Sequence, residues 1–289
     1  MSESLTMAQL KEQPHYSYSA LNTYINICQL QYLYRYVAKL EPEQTPVALP
    51  FGSAYHATLS EQAQAAKHGK LLPASELTDA FVTYFKAAVA DSAQVVYKDG
   101  HDNDSLIQLA ARMLDATTAQ WPDYFGCIKG VAVPFSFHIQ GLSKPVIGEF
   151  DMLLTEPNPF DKPDEEPPAV IVDWKTSARS WPEGREDKEL QASIYTAAYE
   201  SAHGIRPDFR YDITTKAKTP KIERRYTSRS TSQISRMRKL LLEADKAIQA
   251  EVFMPNETSF ACADCPYAEA CQSWHRPFIN HSTLSTNVA

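Results

Sequence analysis

Three apolar runs in the middle of the chain constrain its fold more than anything else. They are VAVPFSFHI (131–139), VIGEFDMLL (146–154) and AVIVDWKTS (169–177). Each is rich in β-branched and aromatic residues and is bounded by turn formers, the pattern of a strand. The third run breaks its own rule. Asp173 and Lys175 are two residues apart, so a strand carries both on one face and Trp174 on the other. A plain core strand has no use for such a pair. The ordinary explanation of an isolated D-x-K is a structural ion pair at a strand end.

The flanks read as helices. Residues 17–37 open with Ser17 and Ser19 as candidate caps, and Leu21, Tyr24, Ile25, Cys28 and Tyr32 recur at helical spacing. Residues 51–66 predict a helix, and 74–120 a long helical region interrupted around Lys98–Asp104 and stopped by Trp121-Pro122. An acidic, proline-rich stretch at 155–168 reads as an elaborated surface loop between the second and third strands. A helix over 190–204 with Gly204 as its stop follows, then strands at DFRYDITTK and KIERRYTS, then a helix from Ser232. The expected fold is α/β (α+β), a small mixed sheet flanked by helices. We expect one domain over residues 1–289, with a helical part (15–125), a strand-rich core with a basic hairpin (130–250), a cysteine segment (251–275) and a flexible tail (276–289).

Charge is segregated. The chain carries −7 overall, yet Arg206–Lys246 holds 12 Lys/Arg against 5 Asp/Glu. Such a segment is either a solvated surface or a phosphate-binding face. No apolar run reaches transmembrane length and no secretory leader pattern opens the chain, so the expected location is the cytoplasm. No G-x-x-x-x-G-K-[ST] occurs, so no nucleotide-driven motor is expected.

Asp151 ends the second strand's G-x-x-D, at the stage where Asp173 sits on the third. If the strands are neighbours, the two carboxylates and Lys175 make a hard-oxygen site for Mg²⁺ or Mn²⁺. Two weaker signals flank it. Gly52 and His56 lie one helical turn apart, the glycine read as a place of close backbone approach, and Gln191 and Tyr195 share another helical face. In order, the set is G-x-x-x-H, G-x-x-D, D-x-K, Q-x-x-x-Y. It resembles the PD-(D/E)XK nuclease superfamily and, within it, the RecB-like exonuclease branch, from about Ser17 to Cys271. The resemblance implies that His56, Asp151, Asp173 and the backbone carbonyl of Trp174 hold the metal. It makes Lys175 the catalytic lysine and gives Gln191 and Tyr195 supporting or DNA-contacting roles.

Cys262-x2-Cys265-x5-Cys271 is a tight cluster that needs a fourth thiolate, for which Cys28 and Cys127 are the candidates. The spacing resembles RecB-like members with an iron–sulfur staple, such as CRISPR-associated exonucleases and the nuclease domain of AddB. By that resemblance Cys28 completes a [4Fe–4S] set and Cys127 is a free thiol. Zn²⁺ is the competing ion. Many such proteins place proline after the lone cysteine, where this chain has Gln29.

With a nuclease core, the basic segment reads as DNA-facing, through Lys216, Lys218, Lys221, Arg224, Arg225 and Arg229. The expected activity is a metal-dependent DNA exonuclease. Its substrate would be single strands or duplex ends, and its partner a recombinase, an annealing protein or a CRISPR integrase. One variant of that reading resects duplex ends for the annealing partner. The alternative is a catalytically silent DNA-binding or assembly subunit on the same fold.

Overall fold

A computed structural model describes residues 5–98, 100–155 and 169–274. The expected loop at 155–168 beyond Thr155 and the tail at 276–289 lie outside the described residues. The three apolar runs form strands β4 (Ile128–Phe137), β5 (Val146–Thr155) and β6 (Ala169–Ser177). They are joined by β1 (Tyr16–Ser17), β7 (Asp208–Thr215) and β8 (Ile222–Thr227) in one mixed six-stranded sheet of order β1-β5-β6-β7-β8, with β4 also on β5. β6 and β7 run parallel, and α7 (Leu190–His203) makes the crossover between them. Gly204 ends α7 in the left-handed conformation, φ 73°.

Helices cover both faces, because each face is apolar. On one face α7 and α8 (Thr231–Gln249) pack over Phe150, Ile171, Phe209, Tyr211 and Ile213. On the other, α4 (Ala48–Lys67), α5 (Ala74–Ala90) and α6 (Asn103–Thr118) pack over Met152, Leu154, Val170, Val172 and Trp174. A two-stranded ribbon, β2 (Thr45–Pro46) with β3 (Val95–Val96), ties the entry of α4 to the loop after α5. Burial of two large apolar faces is the main stabilising term. No helix among the described residues is long and apolar enough to cross a membrane.

The N-terminal segment differs from the continuous helix expected over 17–37. It is α2 (Tyr18–Asn22), a π-helical turn (Thr23–Ile27), an extended Cys28, α3 (Gln29–Tyr32) and a second π-helical turn (Leu33–Val37). Cys28 has φ −163° and ψ 127°, which no helix tolerates. The break has a tertiary cause. Leu30 donates its N–H to the Met254 carbonyl (3.3 Å), and the Gln29 side chain accepts from the Met254 N–H (3.0 Å). Asn256 donates to the Ile27 carbonyl (2.9 Å). The C-terminal segment thus bonds to the opened turn. Beyond it comes the short helix α9 (Ala268–Gln272). A short helix α1 (Met7–Lys11) precedes β1.

Candidate active site

One edge of β5 is shared by two strands. β6 pairs with Met152–Thr155, and β1 pairs with Val146 and Ile147. Between them residues 148–151 face an open fork. The β5–β6 ladder stops at Met152↔Val172, so Asp151 and Asp173 are the first residues beyond the split. A second irregularity lies opposite. Ala132 on β4 has φ 51°, rare for a residue with a Cβ. Across it the strands exchange faces. Val131 and Met152 belong to one core cluster, Phe135 and Phe150 to the other. Asp151 sits at that exchange, which turns its carboxylate into the fork.

The carboxylate takes the place of the missing ladder. Asp151 Oδ2 accepts the Trp174 backbone N–H at 2.9 Å. His56 Nδ1, from α4, stands 3.4 Å from the same oxygen. Asp173 Oδ1 accepts from Gln191 Nε2 at 2.5 Å, and Lys175 Nζ stands 2.5 Å from Asp173 Oδ2. Tyr195, one turn after Gln191, is edge-on to Phe135 and Phe150. His56, Asp151, Asp173, Lys175, Gln191 and Tyr195 all line one cavity of about 300 Å³. The structure therefore brings together all six of the side chains singled out in the sequence.

Electrostatics separate the two carboxyls. Asp173 is 2% exposed, and burial pushes its pKa up to about 6, with Asp151 adding to the rise against the pull of Lys175. Burial would raise Asp151 too, but the His56 and Lys175 charges and the Trp174 N–H hold it below the usual range. Burial would lower His56, yet the Asp151 carboxylate outweighs it and holds the imidazole above its ordinary value. Among the described residues Asp173 Oδ2 is buried without a hydrogen bond of good geometry, and the Lys175 ammonium stands beside it. Two carboxylates, one of them with an under-satisfied buried oxygen, and an imidazole suit a hard divalent cation. Among the described residues, no three His, Cys, Asp or Glu groups stand together at coordinating distances, since these oxygens are turned to Trp174, Lys175 and Gln191. The donor chemistry fits, and the rotamers have to turn to use it.

The two glycines of the pattern part company. Gly148 lies under Phe135: an added Cβ would stand 2.5 Å from its ring. Gly52 was expected to admit a close backbone approach, but a Cβ there would meet nothing within 4 Å. Several lining residues carry no motif: Lys11, His15, Ser17, Tyr18 and Ser19. The only signal for them was the pair of candidate caps, and Ser17 does cap α2.

The basic segment is not one surface. β8 pairs with β7 so that Arg225 lies in the row of Asp173 and Tyr211, and Arg224 in the row of Trp174 and Asp212, on the opposite face. Arg224 is exposed and reaches Gln120 (3.1 Å); Arg225 pairs with Glu223 (3.2 Å). Lys218 and Lys221 are exposed on the hairpin turn. Lys216 is largely desolvated, its ammonium 4.3 Å from the Phe51 ring centre, and burial lowers its pKa to about 8. Arg229 corrects the expectation of a DNA contact. It is 2% exposed and spends its guanidinium on Ser193, Thr227 and the carbonyls of Glu186, Ser228 and Glu189. Arg210 is also buried, clamped on Asp212.

Cys28, Cys262, Cys265 and Cys271 line a second cavity, of about 520 Å³, which Cys127 does not touch. Burial raises the thiols of Cys265 and Cys271, and the neighbouring sulfurs raise them further. No three of the four stand at coordinating distances of one ion.

A mixed sheet flanked by helices, with paired carboxylates and a lysine at a strand fork, is the core of a restriction-endonuclease-like enzyme. The family model of the PD-(D/E)XK nuclease superfamily matches residues 15–272, and the chain belongs to that superfamily. An Eubacterium rectale protein of known structure, named "Putative exonuclease", superposes with TM-score 0.52 at 11% identity, over 91% of this chain and 94% of that one. That likeness is one of fold. SSO0001 aligns over 88% of this chain and 95% of its own at TM-score 0.36 and 10% identity, too low to argue from. No curated protein sequence matches the chain.

Proposed function

We propose that this chain is a Mg²⁺- or Mn²⁺-dependent DNA exonuclease of the RecB-like branch. The observation that carries the reading is the meeting of His56, Asp151, Asp173 and Lys175 in one cavity at the β5–β6 fork. His56, Asp151 and Asp173 would hold the cation. The Trp174 carbonyl is the fourth donor proposed; in a strand it points to the same edge as its own N–H, which already meets Asp151. When bound, the cation activates water and offsets charge on the phosphate. Lys175, beside Asp173 Oδ2, donates to the attacking water or to the charged phosphate oxygen. Gln191 fixes the Asp173 carboxylate, and Tyr195 wedges α7 against β5 so that Gln191 keeps its reach. Lys218, Lys221, Arg224 and Arg225 remain candidates for phosphate contacts; Lys216 is a weaker one.

In this proposal the chain is a single nuclease unit whose cysteine segment is bonded back to the N-terminal helices. Its four thiols line one cavity, though not at the coordinating distances of one ion. The same resemblance favours a structural [4Fe–4S] centre there, with Zn²⁺ as the other candidate. Metal analysis of anaerobically purified protein decides it; stoichiometric zinc without iron would sink the iron–sulfur assignment. A role in end processing, recombination or CRISPR adaptation rests on resemblance to that branch. The test of activity is hydrolysis of end-labelled single- and double-stranded DNA with Mg²⁺ or Mn²⁺, beside Lys175→Ala. Stepwise loss of nucleotides that Lys175→Ala abolishes is expected. Full activity in that variant would refute the catalytic assignment, and no hydrolysis by the parent would favour a silent DNA-binding subunit.

A further inference from the structure

The catalytic cavity does not end at the fork. It shares Lys11, His15 and Ser17 with a groove of about 1100 Å³ that runs past the second π-helical turn to Phe253 and Trp274. Lys11, Arg35, Lys39 and Lys144 line that groove against two acids, Glu12 and Glu251, in a chain of net charge −7. None of the four cations is in an ion pair among the described residues. Two of them stand near rings instead: Arg35 lies 5.4 Å from the Tyr36 ring centre and Lys144 5.3 Å from that of Tyr16. Tyr36, Phe253 and Trp274 keep part of their surface open. The Leu33–Val37 turn carries both Arg35 and Tyr36, and π-helical insertions of this kind concentrate at functional positions.

We infer that this groove holds a single strand of DNA leading to or from the catalytic cavity. The inference rests on the nuclease reading. Cations held in no close ion pair suit phosphates, though Lys11 also lies near enough to Glu149 to lower its pKa. Partly open aromatic rings suit unpaired bases, because a duplex hides its base faces in its own stack. The groove lies on the N-terminal helices and the C-terminal segment, not on the basic β7–β8 hairpin that the charge pattern suggested. A duplex-binding surface would need only the first of the two features.

The test is fluorescence anisotropy of the full-length chain with a 5′-fluorescein oligo(dT) 20-mer, in metal-free buffer so that nothing is cut. Arg35→Ala/Lys39→Ala should weaken binding about tenfold or more at moderate salt and reduce the salt slope by about 1.4, near 0.7 per cation. Both residues are exposed, so the fold should survive. Tyr36→Ala should weaken binding by about fivefold or more with an unchanged salt slope, as expected for lost stacking. Lys67→Ala/Lys70→Ala makes the same charge change at the end of α4, outside the groove, and should leave affinity within about twofold. A blunt hairpin duplex should bind at least about tenfold more weakly than oligo(dT). The inference is overturned if Arg35→Ala/Lys39→Ala binds like the parent, if both double variants weaken binding alike, or if the duplex binds as tightly. Hydrolysis of thymidine 5′-(p-nitrophenyl phosphate) with Mn²⁺ tests the catalytic reading separately, since that diester is too short to span the groove. Cleavage of the diester without preference for oligo(dT) refutes the groove alone. Groove-dependent binding without any cleavage refutes the catalytic reading alone.

Discussion

Replacing Asp173 by Asn should abolish hydrolysis and stabilise the metal-free protein. The side chain is 2% exposed, and its pKa is pushed from 3.8 to about 6 by burial. A shift of that size disfavours the folded state by about 3 kcal/mol once the carboxyl is ionised, at ~1.4 kcal/mol per unit. The sign follows from the direction. A carboxyl whose folded pKa lies above its unfolded value contributes stability below pH 3.8, and that contribution is lost as pH rises through about 6. Asparagine stays neutral, keeps an oxygen for Gln191 and never meets this cost. The pull of the Lys175 ammonium is already contained in that shift, so loss of the ion pair adds no separate cost. The gain at pH 7.5 is therefore about 3 kcal/mol, or a shift of about 1 M in the urea midpoint for an m-value near 3 kcal/mol/M. Urea unfolding in EDTA, at pH 4 and pH 7.5, measures it. The Asp173→Asn variant should gain only at the higher pH, and added Mn²⁺ should raise the midpoint of the parent but not that of the variant. A variant less stable than the parent at pH 7.5, or a gain equal at both pH values, would refute the reasoning.

Three further outcomes are expected. Gly148→Ala places a methyl 2.5 Å from the Phe135 ring and should cost about 1–3 kcal/mol as overpacking, whereas Gly52→Ala, in open space within α4, should gain about 0.5–1 kcal/mol; thermal melts of the pair separate the two glycines. Arg229→Ala should lower stability by about 3 kcal/mol or more, because three backbone carbonyls and two hydroxyls lose a buried donor, while the salt slope of DNA binding stays unchanged in the folded fraction. If the proposed cysteine-ligated centre forms, Cys28→Ser should lower the metal content of the purified protein and loosen the bonds between the first π-helical turn and Met254–Asn256, seen as faster amide exchange at Leu30 and Met254; unchanged metal content would remove Cys28 from the ligand set.

The sequence by itself determined the strands, most of the helices and a set of six residues that the fold gathers in one cavity. Periodicity marks β4 to β8, and β6 matches its apolar run from Ala169 to Ser177, because alternation and β-branching are local properties. The order of His56, Asp151, Asp173, Lys175, Gln191 and Tyr195 along the chain carried the site, since motif spacing survives projection onto one dimension. Only the tertiary structure decided how these residues meet. The split of β6 from β5, the short β1 that takes over the same edge and the positive φ of Ala132 leave no sequence signature, yet they turn Asp151 into the fork. The break at Cys28 was invisible for a like reason: local spacing favours a continuous helix, and bonds to residues more than two hundred positions away override it. Charge counting overstated the basic segment because burial is not local. Arg210 and Arg229 are spent inside the protein, while the cations of the groove beside the site come from Lys11, Arg35, Lys39 and Lys144, scattered along the chain and gathered only by folding.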